Sequence, residues 1–140
     1  MKRFTFNLDF DFTCIIPDGK GEFVDNPGAE RVLKRIVANN HDLILFTARS
    51  NKPYKLTNGE TDYNGLDKAV DWFKEREIPL YGIQINPTQH IFTESLKSFA
   101  DYMIDDTCIF ANLIYDKNLS ERGFINWNDV ERVLENKGII

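Results

Sequence analysis

Apolar residues in this chain come in short runs, and several of the runs end in acidic or hydroxyl side chains. Residues 4–10 (FTFNLDF) carry no glycine or proline and predict a buried strand that stops where the carboxylates begin. PDGKG at 17–21 is turn chemistry between Cys14-Ile15-Ile16 and Glu22-Phe23-Val24, which predicts a small hairpin or flap. Asp25-Asn26-Pro27 then offers a capping residue and a proline for the first helical position. Ala29, Val32, Leu33, Ile36 and Val37 follow at amphipathic-helix spacing. LILF at 43–46 is too compact for a helix and suits a strand covered on both faces. Polar residues 50–65 read as a long loop. Leu66, Ala69, Val70 and Phe73 restore helical spacing until Ile78-Pro79, and 81–85 (YGIQI) predicts a third strand. Beyond a loop over 86–95, Tyr102-Met103-Ile104 predicts a fourth strand running into Asp105-Asp106, and a last short strand is expected between Cys108 and Leu113. Trp127-Asn128 open a final helix with Val130, Val133 and Leu134, closed by Gly138.

Strands alternating with helices predict an α/β, three-layer, Rossmann-like domain: a central parallel sheet, right-handed crossovers and helices on both faces. Such sheets bind ligands at the carboxyl ends of their strands. No linker or composition shift interrupts the 140 residues, so residues 1–140 are expected to form one domain around one core. With 42% hydrophobic and 28% charged residues, disorder is excluded. The formal charge of −5 disfavours non-specific binding to nucleic acid. The apolar stretch after Met1-Lys2-Arg3 is broken by Asn7, Asp9 and Asp11, and no run reaches the roughly 20 residues that cross a bilayer, so a soluble cytoplasmic protein is expected. Cys14 and Cys108 are too few for a disulfide scaffold. Both follow strands expected to be neighbours, so they could approach each other at the site.

The chemistry lies at the strand ends. Asp9 and Asp11 follow the first predicted strand, Thr47 the second, Asp105 and Asp106 the fourth, and in a parallel sheet these ends share one edge. Four carboxylates converging there repel each other unless a cation sits between them, and hard oxygen ligands suit Mg²⁺. Lys97, just upstream of the acidic pair, could neutralise a bound anion. His41 and His90 have no partner at ligand spacing, and Trp72 and Trp127 read as packing residues at helix flanks.

These residues resemble the haloacid dehalogenase-like superfamily of Mg²⁺-dependent phosphatases. LDFDFT is similar to its first motif, DxDxT after an apolar strand, with Asp9, Asp11 and Thr13 in the matching places. LILFTAR is similar to the second and supplies Thr47, Lys97 matches the lysine of the third, and YMIDD resembles the acidic fourth. More narrowly, TARS, AVDWFKEREIP and KSFADYMIDD resemble small capless members linked to polysaccharide biosynthesis. The resemblance implies an aspartyl-phosphate mechanism with Asp9 as nucleophile and Asp11 as acid and base. It implies Mg²⁺ held by Asp9, the Asp11 carbonyl and Asp106, with Asp105 beside them, and a phosphoryl group held by Thr47 and Lys97. Thr13, Ala48, Arg49 and Phe12 are expected to line the substrate.

Phe12 departs from that pattern, which usually has glycine there. It either packs outward as a wall for an apolar leaving group or signals weakened activity. Arg49 either grips substrate or forms an ion pair. The intervals between motifs leave no room for a cap domain, so an open site is expected, with loop 50–65 (Lys52, Tyr54, Lys55) as a partial lid or with a lid from another subunit of a homo-oligomer. The expected substrate is a small phosphomonoester such as a sugar phosphate or nucleotide. A non-catalytic phosphate-binding or scaffold protein of the same fold is the main alternative; a receiver-type domain would need an aspartate after the third strand, where Ile85-Asn86 offers none.

Overall fold

The computed structural model describes residues 2–140. In chain order the elements are β1 (Thr5–Leu8), a hairpin of β2 (Ile15–Pro17) and β3 (Phe23–Asp25), α1 (Ala29–Ala38), β4 (Asp42–Leu45), a second hairpin of β5 (Tyr54–Lys55) and β6 (Thr61–Asp62), α2 (Gly65–Glu75), β7 (Gly82–Ile83), β8 (Tyr102–Ile104), a third hairpin of β9 (Leu113–Ile114) and β10 (Phe124–Ile125), and α3 (Trp127–Asn136). Four strands make a parallel sheet in the order β7-β4-β1-β8. The chain steps from β1 outward to β4 and β7, then returns to the other side of β1 as β8. The topological switch therefore lies between β1 and β8, the place where such sheets open a crevice. The architecture is a mixed α/β, Rossmann-like fold. Among the described residues no helix is long and apolar enough to cross a membrane.

Side chains alternate across the sheet as the strand period demands. Phe6, Leu8, Leu43, Leu45 and Ile104 join one buried cluster with Val32, Leu33 and Ile36 of α1, Trp72 and Phe73 of α2, and Trp127 and Leu134 of α3. Asn7, between Phe6 and Leu8, faces the other way. Its side-chain amide donates to the Ser98 carbonyl at 2.9 Å and its oxygen accepts from the Ser98 hydroxyl at 3.1 Å. That second face is covered by the β7–β8 connection, which holds one 3-10 turn (Gln89–Ile91) and no α-helix, so the expected helices on both faces become helices on one. Polar stitching explains it: the buried Gln89 amide donates to the Ser95 and Lys97 carbonyls and accepts from the Phe99 N–H, satisfying backbone groups that a helix would otherwise pair.

Three further expectations are corrected. Pro27 is not the first helical residue: α1 starts at Ala29 behind Gly28, whose φ of 88° and close approach to the Trp127 Cβ leave no room for a side chain. Asn26 does not cap: its Nδ2 donates to the Thr13 and Ile125 carbonyls, which turns the side chain away from α1 and leaves Oδ1 buried without a partner, and Asp25 instead accepts from the Trp72 indole and Arg76. Loop 50–65 contains the β5–β6 hairpin, and Thr57 and Asn58 at its tip bond to the Gly19 and Lys20 carbonyls at the tip of β2–β3. The last short strand, expected between Cys108 and Leu113, is instead β9 at Leu113–Ile114, and it pairs antiparallel with β10 rather than joining the central sheet.

Candidate active site at the carboxyl edge of the sheet

Register brings the site together. Leu8 lies opposite both Leu45 and Ile104, so Asp9, Phe46 and Asp105 emerge at one level, fixed by the bonds Asp9 N–H to Ile104 carbonyl (3.0 Å) and Phe46 N–H to Leu8 carbonyl (2.8 Å). After Asp9 the chain curls tightly, with the Phe10 carbonyl accepting from the N–H groups of Thr13, Cys14 and Ile15. The curl requires a left-handed residue, and Phe12 takes it at φ 59°. A side chain in that region costs about 1–2 kcal/mol, which explains why glycine suits the position.

Asp9, Asp105 and Asp106 each offer a carboxylate oxygen, and these atoms lie within 4.8 Å of one another. Burial, followed by the proximity of Asp106 and Asp105, pushes the Asp9 carboxyl up to about 8. The metal-free site thus keeps a proton where three negative charges would otherwise meet. Asp106 is buried and accepts from Arg122 at 2.9 Å, while Asp105 accepts from both the N–H and the hydroxyl of Thr107. Three hard oxygen donors this close together could hold a divalent cation. Both Asp105 and Asp106 reach the cluster, so neither is set apart from it.

The Asp11 carboxylate is outside this trio. Arg49 grips it with two bonds, Nε to Oδ2 at 2.8 Å and Nη2 to Oδ1 at 2.7 Å, while Nη1 donates to the Gly65 carbonyl and the guanidinium lies 4.9 Å over the Phe10 ring. Of the two readings of Arg49, the structure contains the ion pair. Thr47 is half-buried and Ala48 exposed. The Gln84 side chain exchanges two bonds with the Thr47 backbone (2.9 and 2.7 Å), and the Thr47 hydroxyl accepts from the Arg49 N–H at 3.1 Å.

Thr13, expected among the substrate-lining residues, is fully buried and holds the site from below. Its hydroxyl donates to Asp9 at 3.0 Å and accepts from the Asp106 N–H at 3.3 Å; its carbonyl accepts from Asn26 and from the Trp127 indole. Lys97 is exposed, and its ammonium forms no ion pair among the described residues. Cys14 is buried, its thiol donating to the Asp9 carbonyl and pushed well upward by burial, whereas Cys108 is exposed; both are free thiols. His41 bonds the Phe4 N–H and the Ile139 carbonyl, well away from this chemistry.

Two contributors escape sequence reasoning. Gln84 turns back through a left-handed φ of 67° to reach Thr47, in a stretch that reads as continuous strand. Arg122 arrives from the β9–β10 hairpin, stacks 4.6 Å over the Phe12 ring and bonds Asp106. No local motif announces either.

No protein-family model and no curated protein matches this chain. A solved structure of a conserved protein from Bacteroides thetaiotaomicron is similar to it, with a TM-score of 0.69 at 23% sequence identity, spanning 97% of this chain and 93% of the other. At that identity the likeness shows a shared fold.

Proposed function

We propose that this protein is a capless phosphatase of the haloacid dehalogenase-like kind, hydrolysing a phosphomonoester through a covalent intermediate on Asp9. The observation that carries the reading is the trio of Asp9, Asp105 and Asp106 at the switch point, whose carboxylate oxygens lie within 4.8 Å of one another. The three carboxylates and the Asp11 carbonyl would hold Mg²⁺, which would neutralise the oxygens of the phosphoryl group and lower the Asp9 pKa.

Within that reading Asp9 attacks phosphorus as the bond to the leaving oxygen breaks, and Asp11 gives that oxygen a proton. Asp11 then takes a proton from water as water displaces Asp9 from phosphorus. Thr13 fixes the nucleophile's orientation through its 3.0 Å bond to Oδ2. The Thr47 hydroxyl, aimed by the Gln84 clamp, is free to donate to a phosphoryl oxygen. Arg49 holds both Asp11 oxygens, so this pair has to open at one oxygen for Asp11 to carry the proton it gives. The joined tips of the β2–β3 and β5–β6 hairpins would wall one side of this site.

The test is hydrolysis of p-nitrophenyl phosphate with Mg²⁺ and with EDTA, beside Asp9→Asn. Turnover that needs the metal and disappears in Asp9→Asn is expected. Absence of turnover from pH 5 to 9, together with tight binding of BeF₃⁻ or vanadate, would favour the second reading, a phosphate-binding protein without catalysis. The strained Phe12 in the glycine position is what speaks for that alternative.

A further inference from the structure

We infer that Arg122, seated on Phe12, is a specificity-determining residue that selects phosphomonoesters whose leaving group carries a second anionic group, a carboxylate or another phosphate. This rests on the phosphatase reading above and adds the class of substrate.

The two arginines at the site differ in what they have left to offer. Arg49 uses all three guanidinium nitrogens, two on Asp11 and one on the Gly65 carbonyl, and its side chain is only 19% exposed. It has no edge to present to a ligand. Arg122 uses Nη2 alone, on Asp106, and its side chain is 56% exposed; among the described residues Nε and Nη1 bond to nothing. A guanidinium carries five N–H donors in a planar fork that matches a carboxylate or phosphate. Its Cζ lies 4.6 Å over the Phe12 ring, so the ring supports the fork while Nε and Nη1 stay unpaired.

The arm that carries Arg122 is fixed, which separates it from an ordinary surface arginine. The Asp116 carbonyl accepts from Leu119 and Ser120, and the Ser120 hydroxyl accepts from the Arg122 N–H. Gly123 lies against the Tyr115 ring so closely that a Cβ there would fall 2.8 Å from it. Beyond it, the Ile125 N–H bonds the Phe12 carbonyl at 2.9 Å. The β9–β10 hairpin is thereby tied to the same loop that carries Asp9 and Asp11. Little side-chain and loop entropy remains to be lost when an anion binds, and such preorganisation favours affinity.

Position gives the role. Asp106 touches Arg122 at 2.9 Å and belongs to the carboxylate cluster that contains Asp9, so a phosphoryl group on Asp9 and a guanidinium over Phe12 are one small substrate apart. A cation held by the cluster would also draw on Asp106 and repel Arg122. An anionic group on the leaving side would then be the partner that keeps the guanidinium in place. Phe12 contributes its ring as the floor of this subsite, which accounts for an aromatic side chain at a position whose backbone favours glycine.

The test compares matched substrates: 3-phosphoglycerate against glycerol 3-phosphate for a carboxylate, and fructose 1,6-bisphosphate against fructose 6-phosphate for a second phosphate. The wild type should prefer the anionic member of at least one pair by about 10-fold or more in kcat/KM, as a charge-assisted bond supplies. Arg122→Gln should bring that ratio to within about 3-fold of one, chiefly through KM, and Arg122→Lys should keep part of it. Equal kcat/KM within both pairs in the wild type, or an equal loss on both members in Arg122→Gln, overturns the inference. Calorimetric binding of the same four compounds to Asp9→Asn and to Asp9→Asn/Arg122→Gln gives a readout independent of turnover. An inactive wild type would sink the phosphatase reading, and the binding ratio would still decide the role of Arg122.

Discussion

Asp9→Asn should abolish turnover and yet stabilise the metal-free protein at pH 8. Burial and two neighbouring carboxylates raise the Asp9 carboxyl from 3.8 to about 8. A folded-state pKa above the unfolded value means that the native state binds this proton more tightly. The stability it contributes is complete below about pH 4 and is lost as the pH rises through 8. At about 1.36 kcal/mol per pH unit the full shift corresponds to an upper limit of roughly 6 kcal/mol. Asp9 is partly open to solvent, and water and the Thr13 hydroxyl ease the charged state, so a difference of about 1–3 kcal/mol is expected at pH 8. Asparagine keeps the shape and the hydrogen-bonding oxygen toward Thr13 but never ionises. In EDTA, thermal melts from pH 5 to 8 should show the wild type losing roughly 3–10 °C relative to Asp9→Asn as the pH rises. Mg²⁺ at ten times its Kd adds about 1.4 kcal/mol by mass action to whichever protein binds it. That gain should be large in the wild type at pH 8, small at pH 5, and small in Asp9→Asn at both. A mutant less stable than the wild type at pH 8, or one that gains as much from Mg²⁺, would refute the electrostatic argument.

Other substitutions probe the supports of the site. Thr13→Val keeps the volume but removes the hydroxyl between Asp9 and the Asp106 N–H; about 1–3 kcal/mol in urea unfolding should be lost, together with most of kcat. Gln84→Leu leaves the Thr47 backbone without its two partners, so kcat should fall about 10-fold or more while the melting temperature drops by only a few degrees. Asn26→Ala removes a donor from the Ile125 carbonyl and one of two from the Thr13 carbonyl, which keeps the Trp127 indole; a loss of about 1–3 kcal/mol in chemical denaturation is expected, and a value under about 0.5 would show that water replaces the amide.

Much of this arrangement was legible in the sequence, and physics explains which parts. β1 and β4 lie inside the parallel sheet, where both faces are covered, so FTFNL and LILF stand out as apolar runs, and the acidic or hydroxyl residues that end them mark the carboxyl edge. α1 and α2 were readable because each buries one stripe. The β7–β8 connection reads as a loop over 86–95 and is one, apart from a single 3-10 turn; the expectation of helices on both faces came from the general α/β pattern and not from these residues. The last strand is expected a few residues early, and β10 has no sequence signal at all, because β9 and β10 pair over two residues each, too short for any period to register. Arg122 is lost with them, since SERGF reads as surface until Ile125 bonds the carbonyl of Phe12.

The same contrast explains how the site divides its labour. Residues legible as motifs, Asp9, Asp11, Asp105 and Asp106, are the ones whose charge does the chemistry in the proposed reaction, and charge alone would drive them apart. What holds them is a set of neutral or cationic groups from distant segments. Thr13 lies between Asp9 and the Asp106 backbone; Asn26 and Trp127 grip the Thr13 carbonyl; Gln84 steadies Thr47; Arg49 and Arg122 each take one carboxylate. Asn26, Trp127 and Gln84 reach the site only once the sheet has formed, because their partners lie on other strands and helices. A variant that kept the four aspartates and lost these contacts would keep every sequence signature of the site. It would hold the carboxylates too loosely for the proton on Asp9 and the cation that replaces it to alternate at one fixed position. Much of the preorganisation here resides in Asn26, Gln84, Trp127 and Arg122, which lie outside the acidic motifs.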